Sequence, residues 1–255
     1  ASAYNLDITV APINDAPLAA SVTASGAEDA ASITIALSGS DTEDSSVASF
    51  KIKSLPADGT LYSDSGLSSA ISVNATISAS SNAANVYFVP SANWNGTTTF
   101  DYTSIDSNSV ESSEAQATIT VTAANDLPTS TADSISVVED TNYTLSESDF
   151  GAYSDTDGDA LTKVQITALP GTGTLQLYDG SSSWGNVSAD AEITVAQLAN
   201  GYLRYVPAAN GNGPDYATIS FKVHDGTGYS ASAYNLDITV APINDAPLAA
   251  SVTAS

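Results

Sequence analysis

Residues 124–128 read Ala-Asn-Asp-Leu-Pro, and the pattern Asn-Asp-x-Pro within them opens at three places: Asn14, Asn125 and Asn244. Pro128 fixes its own φ and donates no hydrogen bond, and it biases Leu127 to extended backbone. The Asn125 and Asp126 side chains supply oxygens. The stretch reads as a joint between two rod-like modules, with a metal setting its stiffness. Landmarks recur in the same order on either side of it. Asn14 to Glu28 and Asn125 to Glu139 each span 14 residues, and Asp106 to Asn125 and Asp225 to Asn244 each span 19. A longer repeat overlies this one: residues 1–25 recur unchanged at 231–255, a period of 230. Identity over that length marks recent tandem duplication, so the chain is expected to be one full unit of an array plus the start of the next. The expected division is 1–12 as the last strand of a preceding module, 13–123 and 124–242 as two modules, and 243–255 as the first strand of a following one.

Between the landmarks, short runs alternate apolar and polar residues, as half-buried strands do. Examples are Leu6/Ile8/Val10, Ile33/Ile35/Leu37, Phe100/Tyr102, Ile135/Val137, Tyr143/Leu145 and Leu236/Ile238/Val240; Phe50 and Ile52 lead into Leu55. Turn residues separate the runs. About seven strands per module predicts an all-β fold of tandem Greek-key sandwiches placed end to end. Residues 194–200, TVAQLAN, predict one helical turn before Gly201.

Lys and Arg number 5 against 29 Asp and Glu, for a net charge of −24. That balance opposes binding to nucleic acid and to anionic lipid, and it favours hard cations. The absence of Cys excludes disulfides and thiolate metal sites. No stretch approaches 18 consecutive apolar residues, and none reads as a signal peptide.

Strand order places the acids. In a seven-strand sandwich the loops after the first, third and fifth strands share one end, and those after the second, fourth and sixth share the other. Glu28-Asp29 and Glu139-Asp140 fall after first strands. Asp41, Glu43 and Asp44, and Asp155, Asp157 and Asp159, fall after second strands, with Asp106 and Asp225 after sixth strands. The joint should therefore collect Glu28 and Asp29 from one module, Asn125 and Asp126 from the connection, and Asp155, Asp157, Asp159 and Asp225 from the next. Asn14 and Asp15 precede the first module and Asn244 and Asp245 follow the second in the same way. Carboxylates crowded to this density repel unless a cation lies among them, and an all-oxygen set suits Ca²⁺.

These residues resemble the cadherin-like tandem modules of giant bacterial surface adhesins, the RTX-type proteins secreted by the type I pathway. The matching pieces are the Asn-Asp-x-Pro joints, Glu139-Asp140, SDTDGD at 154–159, LPGTGTL at 169–175 and ITVAQLANGYLRYVPAANGNG at 193–213. In the first half they are SDTED at 40–44, LPADGTL at 55–61 and YFVPSANWNG at 87–96. The resemblance implies an extracellular extender stiffened by Ca²⁺ that holds adhesive domains away from the cell for surface attachment and biofilm formation. It carries calcium ligands onto Asn14, Asp15, Glu28, Asp41, Asn125, Asp126, Glu139, Asp155 and Asp157. Glu43 and Ser45 stand where the second module has Asp157 and Asp159, a departure from the pattern. The expected partners are neighbouring modules of a monomeric chain, with no nucleic acid and no direct membrane contact.

Other readings are weaker. Asp155-x-Asp157-x-Asp159 is no EF-hand: Gly158 is misplaced and position twelve is Ile166. His224-Asp225 reads as a strand end rather than a catalytic pair, since Ile105-Asp106 occupies the same place. Paired carboxylates serve glycoside hydrolysis, but acids repeated at every joint point to structure, so an enzyme is not expected. Trp94 and Trp184 read as turn packing. The alternative function is direct binding of a glycan, ice or a second adhesin by the same fold.

Overall fold

The structure, a computed structural model, describes residues 13–245. The Leu6/Ile8/Val10 run lies outside the described residues. The chain divides into two compact units, Ala1–Ala124 and Asn125–Ser255.

The first unit is a β-sandwich. One sheet holds β1 (Leu18–Ala20), β3 (Ile33–Ser40), β7 (Ala83–Pro90) and β5 (Gly59–Tyr62), in that order. The other holds β2 (Val22–Ala27), β9 (Ala115–Thr122), β8 (Gly96–Ile105), β4 (Ser49–Ile52) and β6 (Thr76–Ser78). The alternation does what it predicts. Ile33, Ile35 and Leu37 are buried while Thr34 and Ala36 face out. Each large apolar side chain so buried contributes about 1.5–3 kcal/mol. Leu55 is a correction: it is 40% exposed, beyond the end of β4.

The first strand is split. β1 pairs antiparallel with β3, and β2 crosses over to pair parallel with β9. Tyr102, fully buried on β8, fixes the crossover. Its hydroxyl donates to the Ala20 carbonyl, and it bonds the Ser38 backbone as both acceptor and donor. The split and the added edge strand β6 explain why nine strands appear where seven were expected.

The second unit repeats the sandwich. Its five-stranded sheet runs β10 (Asp133–Val138), β18 (Tyr234–Ala241), β17 (Gly213–His224), β12 (Lys163–Ala168), β15 (Ala191–Thr194). Its four-stranded sheet runs β11 (Tyr143–Thr144), β16 (Leu203–Val206), β13 (Thr174–Tyr178), β14 (Trp184–Asn186). The helical turn is present as α1 (Val195–Ala199). Thr194 Oγ1 accepts the Gln197 N–H while Gln197 Oε1 accepts the Thr194 N–H, a reciprocal cap, and Gly201 takes φ +68° just beyond.

The predicted Tyr143/Leu145 strand is only two residues long. A 3-10 turn at Glu147–Phe150 follows, and it drives Phe150 into the core, edge-on to Phe221 at 5.0 Å. Pairing resumes at Ser154, which exchanges two backbone hydrogen bonds with Thr129. Trp184, expected in a turn, lies on β14. Trp94 packs against the core of the first unit.

Candidate metal centre

In the second unit, three segments converge at one end of the sandwich. The Thr129–Ser154 pairing delivers Asp155 at the start of the loop before β12. β17 ends at His224 and delivers Asp225, and the lead-in segment brings Asn125 and Asp126. Asp155 Oδ1 accepts the N–H groups of Asp157 (2.9 Å) and Asp159 (3.1 Å), which folds the loop around its own carboxylate. Gly158 takes φ +83°, which a side chain would resist. Asp126 N–H donates to Asp157 Oδ2 at 2.7 Å. Asn125 Nδ2 donates to Asp225 Oδ2 at 3.1 Å. Asp155, Asp157 and Asp159 each offer one oxygen, all within 4.8 Å of one another.

Asp225 is 6% exposed. Burial opposes its ionisation, but the N–H groups of Gly228 and Thr227 and the Asn125 amide outweigh it and hold the carboxyl below its usual range. Tyr153, whose hydroxyl donates to the Asp159 carbonyl, reports the local field. Burial, then the charges of Asp155, Asp225 and Asp159, push its phenol up to about 12.

The first unit builds the same end differently. Asp41 Oδ1 accepts the N–H groups of Glu43 (2.9 Å) and Asp44 (2.8 Å). Asp44 then turns towards the loop after β8, where Ser107 Oγ and N–H donate to it. Asp41, Asp44 and Asp106 form the close trio. Asp106, 2% exposed, is held below the usual carboxylate range by the Asn14 amide at 2.7 Å, helped by the N–H groups of Val110 and Asn108. The departure seen in the sequence is met here by Asp44. Ser107 and Asn108, whose amide donates to Asn14 Oδ1, complete the corner and escaped the sequence reading because the second half has Gly226 and Thr227 at their places.

Oxygen atoms test whether a cation fits. Asp155 Oδ2 in the second unit, and Asp41 Oδ2 and Glu43 Oε2 in the first, are buried and have no hydrogen-bond partner. A buried carboxylate oxygen without a partner is costly, and a hard cation is the ligand such an oxygen takes. Among the described residues no side-chain cation reaches these oxygens. Lys51 and Lys53 pair with Glu111, Lys163 with Glu192, Lys222 reaches the Ala231 carbonyl, and Arg204 binds Gln176. The residues present therefore fit a divalent cation at this end of each unit.

The remaining predicted residues lie elsewhere in their own units. Glu28 is 4% exposed; its Oε1 accepts the Ala124 N–H at 2.7 Å and its Oε2 the Asn95 amide at 3.3 Å. Glu139 is 1% exposed and does the same with Ile243 N–H and Asn212, both at 2.6 Å. Each Glu thus latches the residue that precedes an Asn-Asp-x-Pro motif. Asn95-Gly96 and Asn212-Gly213 align, a signal that could have revealed the partner. Asp140 Oδ1 accepts the Asn210 N–H. Asp15, Asp29, Asn244 and Asp245 are exposed. His224 is a strand end, its Nδ1 accepting the Gly226 N–H.

Among the described residues, no helix is long and apolar enough to cross a membrane. No curated protein matches the chain. Solved structures similar to it include an endo-fucoidan hydrolase of glycoside hydrolase family 107 at 19% identity and TM-score 0.32, over 90% of this chain. The chain spans 29% of that protein's length. Titin domains Z1Z2 in complex with telethonin are 15% identical at TM-score 0.28, over 91% of this chain and 100% of that one. Drosophila N-cadherin EC1-3 is 11% identical at TM-score 0.26, over 90% and 69%. A family profile described as bacterial Ig domain matches residues 125–239, and both units have the Ig-like β-sandwich architecture.

Proposed function

We propose that the chain is an extender repeat of a bacterial surface adhesin, non-catalytic, in which Ca²⁺ held at the loop end of each unit restricts bending between neighbours. The observation that carries this reading is the buried, partnerless oxygen of Asp155, matched by Asp41 in the equivalent loop of the first unit. Asp155, Asp157 and Asp159, with Asn125, Asp126 and Asp225 around them, would hold the ion in the second unit; Asp41, Glu43, Asp44 and Asp106, with Asn14, would do so in the first. The ion would neutralise the crowded carboxylates and tie the lead-in segment to the loops.

Extracellular modules bind Ca²⁺ with Kd of about 10⁻⁴–10⁻³ M. Such a site fills outside the cell and empties in the cytosol, which suits export of a loose chain that stiffens at the surface. Calcium titration calorimetry on the chain, with small-angle scattering in calcium and in chelator, tests the reading. Heat of binding and a maximum dimension that responds to chelator are expected. No binding at millimolar calcium removes the metal, and binding with no change in scattering removes the stiffening.

A further inference from the structure

The outward face of the four-stranded sheet in the second unit carries six side chains in two rows. Gln176 pairs with Arg204 on one side and Asn186 on the other. One step along, Tyr178 pairs with Trp184 and gives its N–H to the Tyr202 carbonyl. Leu175, Leu203 and Tyr205 are buried between them, so period-two alternation turns the six outward. None of the six is fully buried.

The rows are ordered. Tyr178 lies 5.3 Å from the Trp184 ring and 5.2 Å from the Tyr202 ring. The Arg204 guanidinium lies 3.9 Å over Trp184, and its Nε and Nη2 both donate to Gln176 Oε1, at 3.0 and 2.8 Å. Gln176 Nε2 donates on to Asn186 at 3.2 Å. In a chain with 29 acids and 5 bases, Arg204 is paired with no carboxylate among the described residues. The fold does not require this surface. In the first unit Tyr62 and Tyr87 stand at the positions of Gln176 and Arg204, with no Trp beside them.

We propose that this face binds an acidic saccharide. The rings are tilted and edge-on to one another, at 46° and 68°, so they form a shallow ridge; aromatic rings ordered on a surface take the C–H face of a sugar, and neighbouring planar amides and guanidinium take its oxygens. With Nε and Nη2 engaged by Gln176, the Nη1–Nη2 edge of Arg204 is the fork that selects a carboxylate, since a planar guanidinium matches that group with two parallel hydrogen bonds. Its stacking on Trp184 already fixes the rotamer, so little ordering remains to oppose binding. The acidity of the chain does not forbid such a ligand, because at physiological salt repulsion from distant carboxylates is screened beyond about 8 Å.

The test is titration of the whole chain, at fixed calcium, with a hyaluronan tetrasaccharide, which carries glucuronate, and with neutral chitotetraose. The acidic sugar is expected to bind at least tenfold more tightly. Arg204→Gln removes that preference, Tyr202→Ala weakens both sugars at least tenfold, and Tyr62→Ala in the first unit changes neither. Melting curves show that each variant is folded before its binding is read. No binding of the acidic sugar at millimolar concentration, equal binding of the two sugars, or unchanged binding by folded Arg204→Gln overturns the proposal.

Discussion

The second strands of the two units take different routes to the same place. In the first unit β3 runs unbroken from Ile33 to Ser40, where Ser40 pairs with Leu18. In the second unit the strand stops after Thr144, a 3-10 turn and Gly151 intervene, and pairing resumes where Ser154 meets Thr129. Leu18 and Thr129 each lie four residues after the Asn of an Asn-Asp-x-Pro motif, and the next residue after each serine is the first loop acid, Asp41 or Asp155. The body of the strand has been free to vary, while its far register has not. What is held constant is the placement of one carboxylate against the lead-in segment, as expected if that end is the working part.

Gly151 makes the detour possible, and altering it should have the largest effect. It sits at φ 74° and ψ −171°, a region essentially confined to glycine, and a Cβ there would meet the Thr131 carbonyl oxygen at 2.0 Å. Gly151→Ala is expected to destabilise the second unit by roughly 3 kcal/mol or more and leave the first unit's transition in place. Differential scanning calorimetry separates the two. A loss shared equally by both units would mean that they do not unfold separately.

The comparison of loops comes next in size. At a hundredfold excess over Kd, a ligand specific to the folded state stabilises it by about 2.7 kcal/mol, roughly 10 °C for a domain of this size. Chelator should remove that increment from the melting of each unit. Asp155→Asn keeps the Oδ1 that accepts the Asp157 and Asp159 N–H groups and replaces only the partnerless oxygen. It should abolish the calcium response of the second unit alone, and Asp41→Asn that of the first. If both units still respond in Asp155→Asn, the second unit's ion lies elsewhere.

Much of this was legible in the sequence, for reasons that also explain the omissions. The alternating strands, the helical turn at 194–200 and the loops that carry Asp41, Asp155, Asp106 and Asp225 depend on local pattern and strand order, which the chain displays. The 3-10 turn at 147–150 was not legible, because Tyr143-Thr144-Leu145 has the same alternation as a full strand. Asp44 was among the candidate acids, but its contact with Ser107 was hidden because aligning the halves compares these residues with Gly158 and Gly226. The aromatic rows were hidden because Tyr178 meets Trp184 only through the register of one hairpin, and Tyr202 joins them from just before a strand further along the chain.

The buried tyrosines give a smaller contrast. Tyr102→Phe leaves the Ala20 and Ser38 carbonyls without their hydroxyl, at a cost of about 1–3 kcal/mol. Tyr205→Phe frees only the Thr172 carbonyl, for about 1 kcal/mol. Urea denaturation of the pair tests the ranking. Equal losses would deny Tyr102 its role in fixing the strand crossover.

The smallest effect concerns surface charge, where again the units differ. In the first, Glu111 accepts from Lys53 at 2.9 Å, Thr103 at 2.8 Å and Lys51 at 3.2 Å, and its carboxyl is held at about 2, with Lys53 the largest cause. A folded pKa below the unfolded value of 4.5 means that the ionised pair stabilises the fold above about pH 4.5 and loses that contribution as pH falls through about 2. With a side chain 32% exposed, the network contributes less than about 1 kcal/mol at neutral pH. In the second unit Glu192 has one lysine, Lys163, with Tyr229, and is 47% exposed. Glu111→Gln should therefore lower the melting temperature of the first unit slightly at pH 7, the difference vanishing by about pH 2, and Glu192→Gln should do less. A Glu111→Gln deficit that persists undiminished in acid would assign the stabilisation to packing of the side chain and remove the charge from the account.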